Sequence, residues 1–205
     1  MHCIAACVPP YLDVTPKHFD KREESEYLAV SQPKPTKREQ PVSQQKIETP
    51  TTHFLAAHGI AYTMHDYDYV SDPGKIGLHA AAGIGIEQEK VFKTLMVEID
   101  KKQVVCAVIP VHQKMNLKKV AALFGGKNAR MLNAEKAEAL TGFQVGGISP
   151  FGARTQVPVV FEKTALDHDI MYINGGGRGL VVGLAPQQAL ACVNGQSADL
   201  TVDPT

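Results

Sequence analysis

Residues 91–111 hold two apolar runs, VFKTLMVEID and VVCAVIPV, on either side of the short polar stretch KKQ. Runs of this length, rich in β-branched residues and joined by a tight polar turn, predict a β-hairpin. A hairpin this apolar needs a core against at least one face, so it anchors any fold the chain adopts. One residue is out of keeping. Side chains alternate faces along a strand, so Lys93 shares its face with Val91, Leu95, Val97 and Ile99, while Phe92, Thr94, Met96 and Glu98 share the other. An ammonium among aliphatic side chains loses hydration, which lowers its pKa, or takes an anionic partner. Two readings stand. Either Lys93 lies at the strand end and reaches water along its methylene stem, or it is held in a pocket for chemistry or for an anionic ligand.

The punctuation around the hairpin sets the fold class. TPTTHFLAAHG has a Thr cap, Pro at the first helical position and Gly at the end, which predicts a short helix. IAYTMHDY is a strand candidate, and GLHAAAGIG is a helix closed by glycine. NLKKVAALFGG is a helix capped by Asn116 and ended by Gly125, and NAEKAEALTG repeats that grammar. FQVGGI, VPVVF, IMYIN and LVVGLA are strand candidates; PQQALACV is a helix opened by Pro186, and ADLTV is a last strand. Strands outnumber helices and no βαβ alternation appears. The expected class is α+β, a single compact domain whose sheet is mixed or antiparallel, with surrounding helices.

Composition changes near residue 48. Residues 11–48 are rich in Pro, Lys, Glu, Gln and Ser, as in SQPKPTKREQPVSQQK, and bury too little apolar surface to offset their ordering entropy. Residues 1–48 are therefore read as a disordered or loosely attached extension and 49–205 as the folded domain. Basic and acidic residues are equal in number in both parts, and the whole chain has 21 of each, so any nucleic-acid contact must come from a local patch. No apolar run approaches the ~20 residues a bilayer requires. Cys3, Cys7, Cys106 and Cys192 form no CxxC pattern and no disulfide framework, which reads as a reducing, cytoplasmic setting. IAAC at 4–7 has the outline of a lipoprotein cleavage site, but no basic segment precedes it.

Two glycine clusters, VGGISPFG (145–152) and NGGGRG (174–179, with Arg178), can bring backbone N–H groups close to an oxyanion. Neither matches a Walker loop or a dinucleotide fingerprint, and ordinary turn chemistry accounts for both equally well. His65 and Tyr67 alternate onto one face, with Asp66 between them. The histidines lack ligand spacing, so no metal and no cofactor is expected. No nucleophile elbow occurs, and Cys106 and Cys192 read as core. Between Gln113 and Leu132 stand Lys114, Lys118, Lys119, Lys127 and Arg130 with no acidic residue. Such a patch suits a few phosphates, or is simply a solvated helix face.

Taken in order and spacing, TPTTHFL, MHDY, VFKTLMVE, LTGFQVGGISPFG, IMYINGGGRG and GLAP resemble the YbaK/EbsC family over about residues 49–202. That family contains aminoacyl-tRNA deacylases, among them the Cys-tRNA(Pro) deacylase, and is related to the editing domain inserted in bacterial prolyl-tRNA synthetases. The resemblance implies a mixed sheet curved around a pocket, and hydrolysis of the ester of a mischarged tRNA. It implies that Lys93 lines the pocket as the residue most closely tied to activity, that the Gly146 backbone lies near the scissile ester, and that Tyr67 is the tyrosine of the H-x-Y stretch. Thr94, Gly147, Ser149, Asn174 and Gly176 are the implied substrate contacts. The five basic residues from Lys114 to Arg130 remain the candidate tRNA contacts.

In cysteine-specific relatives the substrate's own thiol attacks its carbonyl; other relatives remove alanine from tRNA(Pro) with a water nucleophile. Tyr69 stands where relatives often carry His, and Asn174 where cysteine-specific members often have Ser, so the choice of amino acid stays open. A binding module for the tRNA acceptor end or for a synthetase is the alternative without catalysis. The implied partners are the tRNA(Pro) acceptor end and, transiently, prolyl-tRNA synthetase.

Overall fold

The computed structural model describes residues 47–72 and 74–202. Except for its last two residues, the extension expected over 1–48 lies outside the described residues, as do Cys3, Cys7 and the IAAC stretch.

The hairpin is the centre of the structure. Strand β2 (Phe92–Ile99) pairs antiparallel with β3 (Gln103–Pro110) along its whole length, from Phe92 opposite Pro110 to Ile99 opposite Gln103. The chain reverses at Asp100 and Lys101, both with positive φ. The Asp100 carboxylate fixes the turn by accepting from the backbone N–H groups of Lys127 and Asn128 at 2.9 Å. Both faces of the hairpin are buried. Phe92, Met96, Cys106 and Val108 face one cluster, with Phe151, Phe161 and Ile173. Val97, Ile99, Val105, Ala107 and Ile109 face the other, with Val120, Val160 and Leu200.

Five strands form the sheet around it in the order β4 (Ala129–Met131), β2, β3, β5 (Val159–Glu162), β8 (Gln196–Ala198). β4–β2–β3 is antiparallel, whereas β3–β5 and β5–β8 are parallel, so the sheet is mixed. A second, antiparallel sheet has the order β1 (Thr63–Asp66), β7 (Leu180–Leu184), β6 (Met171–Asn174). It touches the first through a parallel bridge between Val91 and Tyr172. The expected mixed sheet is present as the five-stranded sheet, and the three-stranded sheet shares its core through Met171, Ile173 and Val182.

The helices follow their caps. In α1 (Pro50–Ala57) Thr49 and Thr52 cap each other reciprocally. Asn116 accepts from the N–H groups of Lys118 and Lys119 ahead of α3 (Leu117–Leu123), and Asn133 accepts from Lys136 ahead of α4 (Ala134–Thr141). α2 (Ile76–Ile84) ends on Gly85, and α4 on Gly142, both left-handed. Pro186 opens α5 (Pro186–Cys192). No helix of the described residues is long and apolar enough to cross a membrane.

Two expectations differ. FQVGGI is not a strand, because Gly147 N–H bonds the Gln144 carbonyl at 2.8 Å and closes a turn with Gly146 at φ 90°. The last strand lies at Gln196–Ala198 rather than at ADLTV. There the buried Glu162 carboxylate takes the Leu200 N–H at 2.6 Å, which diverts it from the ladder, and the chain turns to meet Met115 and Asn116. β4 has no counterpart in the sequence reading.

Candidate active site

A gap in hydrogen bonding lies along β2. Its outer edge meets β6 only at Val91, and β4 joins only at Val97–Ile99. Met96 turns its carbonyl to that edge, where Leu132 N–H reaches it at 2.9 Å, so Thr94, two residues earlier, turns its backbone to the same side. The gap opens on a cavity of about 680 Å³. α2 walls it with Ile76, Gly77 and Ala80; the loop after β3 adds Val111, Gln113 and Met115, and Val145, Gly146 and Ile148 complete it.

Lys93 lines this cavity. Its Nζ donates to the carbonyls of Val111 at 2.9 Å and Gln113 at 2.8 Å. An ammonium carries three N–H groups, so one remains. No carboxylate of the described residues pairs with it, and burial pulls its pKa below the ordinary lysine value. The cavity therefore contains an uncompensated positive charge in a largely apolar wall. Two buried polar atoms of lining residues, Thr94 Oγ1 and Gln113 Oε1, have no hydrogen-bond partner among the described residues.

Tyr67 lines the same cavity, packed against Gly83 of α2, where an added Cβ would lie 2.8 Å from the tyrosine Cβ. Burial first, and then the nearby Tyr69 phenol, raise its pKa, with a backbone hydrogen bond to Gly179 acting the other way. It is a neutral hydroxyl at physiological pH. Gly146 lines the wall too, and its N–H has no acceptor among the described residues. Asn174 sits at the wall, but its side chain serves the loops: Nδ2 donates to the carbonyls of Gly146 and Gly177, and Oδ1 accepts from Gly176 N–H.

The other expected substrate contacts lie elsewhere. Gly147 packs on the Gly177–Arg178 backbone, and Gly176 lies under Thr49 and Thr51, where a Cβ would meet Thr51 Oγ1 at 2.6 Å. Ser149 is buried and caps Phe151 N–H, lining a second cavity of about 200 Å³ with Cys106 and Cys192. The structure thus brings together Lys93, Thr94, Tyr67, Gly146 and Asn174, and leaves Gly147, Ser149 and Gly176 behind the wall.

The basic stretch is less free than its sequence implies. Lys119 bonds Asp199 at 2.8 Å and the Thr201 carbonyl at 2.9 Å, while Arg130 Nε bonds Glu98 at 2.6 Å. Lys114 lines the cavity mouth; Lys118 and Lys127 are exposed. The interactions that sequence reasoning missed are of two kinds. Val111 and Gln113 act through main-chain carbonyls, which leave no side-chain signal. Tyr69 and Arg178 form a stacked pair, the guanidinium 5.3 Å from the ring centroid, at the turn that bears Gly146; their separation in sequence hides the contact.

Comparison with known proteins gives a consistent picture. A family model described as the aminoacyl-tRNA editing domain matches residues 78–192. A protein of Enterococcus faecalis named as a proposed Cys-tRNA(Pro)/Cys-tRNA(Cys) deacylase, EbsC, is 34% identical over 159 residues, 78% of this chain and 95% of that protein. The proline–tRNA ligase of Maridesulfovibrio salexigens is 29% identical over 54% of this chain and 19% of its own length. In fold, the chain superposes on a proposed trans-editing enzyme for prolyl tRNA synthetase with a TM-score of 0.66 at 24% identity, covering 75% of this chain and 95% of that one. The hypothetical protein APE2540 superposes with a TM-score of 0.67 at 24% identity, covering 75% and 99%.

Proposed function

The chain belongs to the aminoacyl-tRNA editing domain family, and from that premise we propose that it is a deacylase clearing Cys-tRNA(Pro) in trans. Membership makes it an enzyme of translation quality control that cleaves an aminoacyl-tRNA ester. The relative named for Cys-tRNA(Pro) supports the choice of cysteine; the observation that carries ester cleavage at this site is the Lys93 ammonium, without a carboxylate partner among the described residues, in one cavity with the Gly146 N–H.

The chemistry asks little more of the protein. The cysteine sulfur bonds to the carbonyl carbon, the bond from that carbon to the ribose oxygen breaks, and the thiol proton ends on the ribose hydroxyl. A cyclic thioester leaves. Lys93 supplies positive potential that favours the thiolate and the developing oxyanion, and a low-polarity wall strengthens it. Gly146 N–H orients the ester, and the Thr94 hydroxyl and backbone face the ribose side. Tyr67, neutral, donates at the mouth. Lys114, Lys118 and Lys127 meet phosphates of the tRNA acceptor end. Discrimination among tRNAs is borrowed from prolyl-tRNA synthetase in a transient complex.

The test is incubation with Cys-tRNA(Pro), Ala-tRNA(Pro) and Pro-tRNA(Pro). Release of cysteine alone, reduced by about 10²-fold or more in a folded Lys93→Ala variant, is the expected result. Release of alanine alone moves the assignment to the alanine-specific members. Tight binding with no release of any amino acid replaces the enzyme with a binding module.

A further inference from the structure

We propose that Arg178 is a positioning residue that locks the direction of the Gly146 N–H. The proposal rests on the deacylase reading and extends it to a residue outside the cavity wall.

Gln144–Gly147 is a β-turn closed by Gly147 N–H on the Gln144 carbonyl at 2.8 Å. Gly146 has φ 90°, and Val145 is not among the positive-φ residues. Negative φ followed by positive φ at the central positions defines a type II turn. Its central peptide, between Val145 and Gly146, can rotate by half a turn without moving the flanking residues, which converts type II to type I. Glycine at the third position permits both states. Since a trans peptide holds C=O and N–H in opposite directions, that rotation reverses the Gly146 N–H.

One side chain decides between the two states. Arg178 Nε donates to the Val145 carbonyl at 2.9 Å. The carbonyl of that peptide is thereby tied to the outer side, and its N–H points away from Arg178. Arg178 itself lies on the Tyr69 ring, 5.3 Å from the centroid. Tyr69 is also packed against the turn, since a Cβ on Gly146 would lie 2.5 Å from its hydroxyl oxygen. Asn174 holds the next carbonyl, that of Gly146, at 2.9 Å. Both peptides of the turn are therefore clamped through their carbonyls, and the free N–H between them is aimed before substrate arrives. Such preorganisation acts on the transition state more than on binding.

The experiment compares wild type with Arg178→Met, which keeps the bulk and loses the donor, and Tyr69→Leu, which removes the bed of the guanidinium. Two readouts are taken: the residual dipolar coupling of the Gly146 N–H in the free protein, and kcat and KM for Cys-tRNA(Pro). The expected result is a changed or broadened Gly146 coupling in both variants. With it, kcat falls about 10²-fold in Arg178→Met, while KM stays within about 3-fold. An unchanged Gly146 coupling overturns the proposal, as does a raised KM at constant kcat, which would make Arg178 a direct tRNA contact. If the wild type releases no amino acid, the deacylase reading fails by itself, and the coupling alone decides whether Arg178 sets the turn.

Discussion

Lys93 and Cys106 lie on the two strands of the hairpin, opposite Ile109 and Met96 respectively, and have opposite burial problems. Cys106 is buried, and its thiol is pushed up to about 12 from 9.0. The unfolded chain gives up that proton first, so the thiol contributes no penalty below pH 9, and stability is lost as pH rises from about 9 to about 12. Lys93 works in the other direction. Its folded pKa lies below 10.5, so the unfolded state holds its proton longer and stability rises with pH up to that value. Cys106 dominates because it is fully enclosed while the lysine is half-open to the cavity. At pH 10 the thiol costs on the order of 1 kcal/mol. Denaturant unfolding at pH 8 and pH 10 should therefore show a smaller loss for Cys106→Ala than for wild type, whatever the variant's offset from its lost sulfur. Equal losses would remove the thiol from the account. This pair also marks what single residues reveal in sequence. Alternation put Lys93 among aliphatic side chains, and that much was legible. Its fixation by the Val111 and Gln113 carbonyls was not, since main-chain acceptors look alike at every residue.

At the scale of elements, local signals placed the helices, because a cap acts within one turn of chain. Thr49, Asn116 and Asn133 each hold the N–H groups their types predict. Strands depend on distant partners, and there the reading ran out. β4 is three residues long and exists because β2 offers it an edge. FQVGGI alternates like a strand, yet its backbone is spent on the turn and on Arg178. The displaced last strand has a single cause, the Glu162 carboxylate, 1% exposed, bonded to Leu200 N–H. Glu162→Gln keeps an acceptor there and should cost under about 1 kcal/mol, whereas Glu162→Ala leaves a buried N–H unpaired and should cost about 2 kcal/mol. Urea unfolding of the two variants measures the difference, and protection of the Leu200 amide against exchange locates it. A glutamine variant as unstable as the alanine one would mean that charge, not acceptance, is what Leu200 requires.

For the whole molecule, a net charge of zero limits how it finds a polyanion. Five basic residues between Lys114 and Arg130 suggest a broad patch, but the fold spends two of them: Arg130 on Glu98, and Lys119 on Asp199 and the Thr201 carbonyl. Lys114, Lys118 and Lys127 have no carboxylate partner among the described residues. Three phosphate contacts release few counterions, so the logarithm of tRNA affinity should fall with the logarithm of salt at a slope of about −2. Lys118→Ala and Lys127→Ala should each reduce that slope by about 0.7, while Arg130→Ala should leave it nearly unchanged. Affinity measured from 50 to 200 mM salt across these variants decides the matter. A slope steeper than about −4 would require basic residues beyond this patch. A shallow slope fits a protein that grips the acylated end and little else. It also bears on the proposed borrowing of selectivity: so few sequence-blind contacts would not tell one tRNA from another, and on that proposal adding prolyl-tRNA synthetase should raise selectivity for tRNA(Pro) without changing kcat.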